Sequence, residues 1–362
     1  MFMAVRYRLN RDLTGSVLPW FAQLTQHGLQ GISGAYSNYA PTYLYLLATV
    51  TPLHPVISDV VLIKSVSMAF TLVAAFIVYL IVFEVTMSQL VSAVAGAGFL
   101  ILPTVIINSA YWGQSDVIYS AFVLAFVLFN LKGAPRRALF CLGLAFSFKL
   151  QTIFVAPYVL YLILRRRIAL QHLLFIPTVY AAAMFPAWLM GRPVTELATI
   201  YFGQVGQYDQ LSMNAPNFYG IIQSFQLIDY QAGVRMGLIL AAAAGLVLAV
   251  ATQRFRDDLQ AQLLVAAASV ILMPFVLPKM HDRYFFLADV LTYILVFTFP
   301  RGWLLAISMQ IGSLSAYCGF LWGIYRHLGA DYLGALAVSV AAVGIVWMCF
   351  VHARNTGLVK HA

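Results

Sequence analysis

The chain is short of charge. Only 9% of its 362 residues are Asp, Glu, Lys or Arg, and acids are the scarcer sign, 12 against 21 basic residues, for a formal net charge of +9. Soluble domains carry about 25% charged residues, so this sequence does not cover a water-facing surface. Cysteine is nearly absent: Cys141, Cys318 and Cys349 all fall within apolar runs. That excludes a disulfide framework and a CxxC metal pair. No GxSxG, HExxH, P-loop or dinucleotide fingerprint occurs, so hydrolase, zinc or NTPase chemistry of the soluble type is unsupported. No cluster has metal-ligand spacing; no cofactor is indicated, and a divalent-metal requirement stays open. The first fourteen residues are polar and basic, without the apolar core of a cleavable signal peptide.

What is there is apolar. Hydrophobic residues make up 62% of the chain, in long runs from about residue 60 to the C-terminus. We read the fold class as all-α: a polytopic transmembrane helical bundle of about eleven spans. Spans are expected near 60–83, 90–107, 117–131, 173–190, 233–251, 263–276, 284–299, 304–323 and 335–351. Residues 1–59 read as a first extracytoplasmic loop with interfacial helices, and residues 60–362 as the bundle, together one integral membrane domain. The basic residues sit in short clusters between spans. Such clusters fit cytoplasmic loops facing anionic lipid and give no reason to invoke nucleic acid.

The apolar stretch 138–164 has basic clusters at both ends. Both belong in the cytoplasm, so the stretch is read as a tight hairpin with Lys149 and Gln151 near its tip. The polar groups left over then gather on the opposite face: Asp12, Asn38, Lys64, the segment 112–116, Lys149, a long loop 192–217 and His281–Arg283. Ionisable groups at membrane depth are costly and usually line a site. With this parity the N-terminus is extracytoplasmic although Arg6, Arg8 and Arg11 lie there. A first helix missing from this chain would reconcile the two.

Three segments carry the candidate chemistry. Asp12 is the only acid of its region, and by composition alone it reads as a helix cap or a solvated charge before it reads as a catalyst. In YWGQSD (Tyr111–Asp116), Trp112 suits an interface, Gly113 a turn, and Asp116 either caps the next helix or lines a site. In KMHDRYFF (Lys279–Phe286), two cations, an imidazole and a carboxylate stand at the mouth of a span. They form either a phosphate-binding cluster or a hydrated helix end. LSMNAPNFYG (Leu211–Gly220) reads as a rigid turn carrying amides.

The pieces in order, Asp12 running into PWF (Pro19–Phe21), NYAPTYLYLL (Asn38–Leu47), YWGQSD, FSFKLQTIFVAPY (Phe146–Tyr158), LSMNAPN and KMHDRYFFLADVL (Lys279–Leu291), resemble the GT-C superfamily of membrane glycosyltransferases. Within it the chain looks like the prokaryotic branch related to the second mannosyltransferase of GPI-anchor synthesis. Asp282 stands where such members usually carry Glu. The resemblance implies transfer of a hexose, mannose by this likeness, from a polyprenyl-phosphate donor to an acceptor with inversion. The acceptor is a glycan, a glycolipid or a protein. The site would lie on the extracytoplasmic face of a prokaryotic plasma membrane. Asp12 would be the general base and Asp116 the second catalytic acid, ordering acceptor or sugar. Lys149, His281 and Arg283 would meet the donor phosphate. Asn38, Tyr39, Trp112, Gln114, Gln151, Asn214, Asn217 and Asp282 would contact substrate, with Tyr39, Tyr111, Trp112 and Phe218 as aromatic platforms for a sugar ring. The resemblance also implies a helix ahead of the Asp12 loop. Two other readings stand beside it. One is a transporter or lipid flippase, for which no inverted repeat is visible. The other is an inactive, truncated homologue.

Overall fold

A computed structural model describes residues 10–34, 36–206, 208–324 and 331–358. Sixteen helices order them. A π-helical turn, Leu13–Val17, leads into α1 (Leu18–His27); α2 is Pro41–Val50, α3 Asp59–Thr86 and α4 Gln89–Phe99. Helix α5 (Pro103–Trp112) finishes in a π-helical turn, Ile106–Trp112. Then come α6 (Asp116–Leu131), α7 (Pro135–Phe148), a 3₁₀ turn (Leu150–Val155), α8 (Ala156–Leu164), α9 (Phe175–Leu189), α10 (Val194–Gly206), α11 (Phe218–Ser224), α12 (Tyr230–Ala251), α13 (Leu259–Val276), α14 (Phe286–Thr298), α15 (Gly302–Trp322) and α16 (Tyr332–Leu358). Two short parallel strands, β1 (Ser212–Met213) and β2 (Met280–His281), pair Ser212 with Met280 and Met213 with His281.

Helix starts follow local chemistry. Pro41, Pro103 and Pro135 open α2, α5 and α7, where a missing N–H costs nothing. Asn217, Asp229 and Asp258 cap α11, α12 and α13 through their side chains. Between spans, small residues allow close approach. A side chain on Gly96 would meet the Ala75 carbonyl at 3.1 Å, and one on Gly312 would meet Val338 at 2.5 Å. Packing of this kind holds helices together where lipid removes the hydrophobic drive.

Among the described residues six helices are long and apolar enough to cross a bilayer, and a seventh span forms if α4 and α5 count as one path. Three shorter apolar helical stretches, Asp116–Leu131, Leu150–Leu164 and Phe286–Thr298, complete the bundle. The expected span over 90–107 is therefore two helices bent by 43°. Pro103 has no N–H to donate, and it forces Leu102 before it into an extended ψ of 129°. The segment 192–217, expected as a loop, instead builds α10 and β1. The described part of the N-terminal segment packs on the bundle. Trp20, Phe21, Leu24, Tyr43 and Leu44 are buried in the same core as the later spans.

Chain direction sorts the two ends of the bundle. At one end Lys132 pairs with Glu84 at 3.5 Å, and Arg167 pairs with Asp257 at 2.8 Å. There Arg165 donates to the carbonyls of Thr252, Gln253 and Phe255 at 3.1, 2.7 and 2.6 Å, closing the end of α12. Helix α7 runs from that end to the other, the chain turns through extended Lys149 (φ −150°, ψ 140°), and α8 returns. The two basic clusters flanking 138–164 thus share one end, with Lys149 at the turn.

Candidate active site

The turn at Lys149 brings its ammonium to Asp116, Nζ to Oδ1 at 2.6 Å, with both side chains buried. Asn108 Nδ2 donates to the other oxygen, Oδ2, at 2.9 Å, and Arg283 Nε lies 3.9 Å from it. Asp116 opens α6 without capping it; its carboxylate is spent on this buried pair instead. The Lys149 ammonium also stands 5.1 Å from the centre of the Tyr39 ring, which Trp20 and Tyr43 flank.

Asp12 lies on the open side of the same cluster. Trp112 Nε1 (3.1 Å), Gln114 Nε2 (2.8 Å) and Arg283 Nη1 (3.4 Å) all converge on its Oδ2. The second oxygen, Oδ1, takes no hydrogen bond from the described residues, and the side chain keeps 31% exposure. Asn10 holds the approach, donating to the Trp112 carbonyl at 2.9 Å and accepting from the Leu13 N–H at 2.9 Å. Beneath, Lys64 donates to the Tyr111 carbonyl at 2.7 Å. Gly113 sits over that lysine at φ +78°, and a Cβ there would stand 3.1 Å from Lys64 Cγ. A left-handed turn this close to a buried side chain suits glycine alone.

Arg283 is shared. Besides Asp12 and Asp116, its Nη1 lies 3.6 Å from Oδ1 of the buried Asp282. Burial, first of all, lifts the Asp282 carboxyl to about 7, with Asp12 and Asp116 adding to it and Arg283 opposing. His281 is pushed down to about 3, again by burial first and then by Arg283 and Lys149. It therefore works as a neutral ring, set between Tyr208 and Tyr284 at 5.6 and 5.0 Å. Gln151 lies beside Tyr284. A cavity of about 270 Å³ begins there, lined by Gln151, Phe154, Tyr208, Leu238, Lys279 and His281 among others.

Asp12, Tyr39, Trp112, Gln114, Asp116, Lys149, Asp282 and Arg283 thus meet in one cluster, with Gln151 and His281 at the mouth of the cavity. Four of the residues expected to contact substrate have other partners within the protein. Trp112 is expected at an interface, as an aromatic platform for a sugar ring. It is buried, its indole stacked on Phe320 at 5.0 Å and covered by Arg283 at 5.7 Å, so it positions Asp12. Asn217 is fully buried; its amide donates to the carbonyls of Pro274 (3.2 Å) and Leu277 (3.4 Å) and its oxygen caps α11. It ties α11 to the proline-interrupted end of α13 and presents nothing to a ligand. Asn214 is exposed beyond the strands, bridged to His281, while Asn38 is exposed and offers its carbonyl to Gln204. Asn108 was missed as a site residue. Its signal was available, an amide at membrane depth at the start of a polar segment. The π-helical turn that aims it at Asp116 has no such signal. Among the described residues no group of three or more His, Cys, Asp or Glu side chains is arranged to hold a metal.

Fold and cluster together define an all-α polytopic membrane protein with a charged cluster set at one end of its helical bundle. The crystal structure of ArnT from Cupriavidus metallidurans bound to undecaprenyl phosphate is similar to this chain, with a TM-score of 0.52 at 14% identity over 94% of this chain and 75% of that one. No family model and no curated protein sequence matches the chain.

Proposed function

We propose that the protein is a membrane glycosyltransferase that takes its sugar from a polyprenyl-phosphate donor. One observation carries the reading: Asp12 is anchored through one oxygen by three donors, while the other takes no hydrogen bond from the described residues and the side chain stays 31% exposed. A carboxylate held this way is set to take a proton from an acceptor hydroxyl. The acceptor oxygen then bonds to the anomeric carbon as the bond from that carbon to the phosphate oxygen breaks. The electron pair leaves with the phosphate, and attack from the opposite face inverts the centre. In this reading Lys149, His281 and Arg283 meet the negative charge that develops on the phosphate. The fold shared with a protein crystallised on undecaprenyl phosphate supports a lipid-borne donor.

The finer reading is a hexose donor, mannose by the resemblance of the sequence motifs, and a glycan, glycolipid or protein acceptor on the extracytoplasmic side. Asp116 orders that acceptor or sugar through the Lys149 pair. The rival reading is a transporter or flippase. The clustering of ionisable groups at one end of the bundle argues against it, because carriers place their sites near mid-membrane.

The test is sugar transfer in membranes supplied with a polyprenyl-phosphate sugar. Asp12→Asn keeps the hydrogen-bonding shape but removes the base, and it is expected to lower the transfer rate by about 10²-fold or more. Wild-type turnover in that variant would remove Asp12 from the mechanism.

A further inference from the structure

The charge balance of the cluster raises a question about the ground state. Two cations, Lys149 and Arg283, face three carboxyl groups, Asp12, Asp116 and Asp282. Even with Asp282 protonated the group is only neutral. Within this set of described side chains an arriving phosphate finds no surplus positive charge, and buried charges without compensation are expensive.

Surplus charge stands next door. Lys279 lines the cavity together with Gln151, Tyr208 and His281. Its ammonium donates to the Tyr230 hydroxyl at 2.7 Å and lies 5.4 Å from the centre of that ring. Among the described residues no carboxylate lies within ion-pair distance of it. The backbone fixes its place: the Lys279 N–H donates to the Leu211 carbonyl at 2.7 Å, and Met280 pairs with Ser212. To make that turn Lys279 adopts φ +63°, a conformation in which glycine is at ease and a long side chain is uncommon. Apart from Gln204 and Tyr284 the remainder of the lining is apolar, and two of its wall residues, Ile153 and Leu238, are more than half exposed on the outer surface of the bundle. Polar at the site end and open to lipid at the other, the cavity has the shape of an amphiphile.

We propose that Lys279 anchors a lipid-borne phosphate in the ground state, with the hydrocarbon chain in the cavity between α12 and the 150–155 turn. This rests on the glycosyltransferase reading for the identity of the lipid, an isoprenoid phosphate. Lys149 and Arg283 then act on the charge that develops during transfer, and Lys279 acts on the charge that arrives.

The experiment measures equilibrium binding of radiolabelled undecaprenyl phosphate to the full chain in nanodiscs. Lys279→Met is expected to weaken binding about ten-fold or more, the worth of one charge-assisted hydrogen bond. Lys279→Arg is expected to restore most of it, which separates loss of charge from loss of fold. Leu238→Trp, which fills the cavity, is expected to weaken the long-chain phosphate but not a ten-carbon isoprenyl phosphate. Undecaprenol, without phosphate, is expected to compete poorly. Inorganic phosphate competing as well as the lipid would overturn the lipid part of the proposal. Unchanged affinity in Lys279→Met, or loss in Lys279→Arg equal to that in Lys279→Met, would overturn the role of the lysine. The two readings fail separately. Wild-type binding that depends on Lys279, without transfer from any sugar donor, removes the transferase and keeps the site. Transfer with an unchanged donor KM in Lys279→Met does the reverse.

Discussion

At the scale of single residues the protein concentrates risk. The Lys149–Asp116 pair is buried, and removing one partner leaves the other uncompensated. Lys149→Met is expected to cost about 3–5 kcal/mol, read as a lowered unfolding midpoint in detergent. Adding Asp116→Leu to that variant is expected to return most of the stability but no transfer. Asp282 sets the pH response. Its carboxyl is raised to about 7, so it is neutral in mild acid and gains a negative charge above that value. Because the folded value lies above that of an unfolded carboxyl, its contribution to stability is full at acid pH and is lost as pH rises to about 7. The same ionisation makes the cluster net negative and opposes a phosphate. Donor KM is expected to rise above about pH 7, and Asp282→Asn is expected to flatten that rise. His281, held down to about 3, contributes no inflection between pH 5 and 8.

At the scale of elements, breaks in helices make the site. The bend before Pro103, the π-helical turn Ile106–Trp112, the left-handed Gly113 and the extended Lys149 each interrupt a helix where it would otherwise cross to the far surface. Interrupted helices free backbone groups that must be satisfied inside the protein. Asn217 does this for the end of α13, taking the Pro274 and Leu277 carbonyls. Asn217→Ala removes those bonds and the α11 cap together. It is expected to cost about 1–2 kcal/mol, seen as faster hydrogen exchange in residues 211–224 while the far end of α13 keeps its protection.

At the scale of the whole molecule the two ends differ in kind. One end carries Arg165, Arg167 and Arg254, and the other carries the acid–base cluster and the cavity. By the positive-inside rule the first is expected in the cytoplasm. Asn214→Cys, in a chain whose three native cysteines are replaced, is expected to react with a membrane-impermeant thiol reagent from the extracytoplasmic side. Labelling from the cytoplasm alone would invert the topology.

The sequence by itself determined the membrane-spanning all-α class and the ends of most spans, because the bilayer admits a backbone only as helices and each helix must be apolar over its length. Helices α3, α12 and α15 lie within three residues of their expected bounds for that reason. Clusters of ionisable residues in an otherwise apolar chain also marked Asp12, Asp116, Lys149 and Arg283 as a set, since charge is too costly there to be incidental. What those charges do to one another was a tertiary matter. Asp12 and Arg283 lie 271 positions apart and share one ion pair. Whether Asp116 caps a helix or pairs with Lys149, whether Trp112 shows its face or hides it, and which lysine is left unbalanced all depend on side-chain directions set by bends and a π-helical turn. Those arise from packing between distant segments, and no local pattern encodes them.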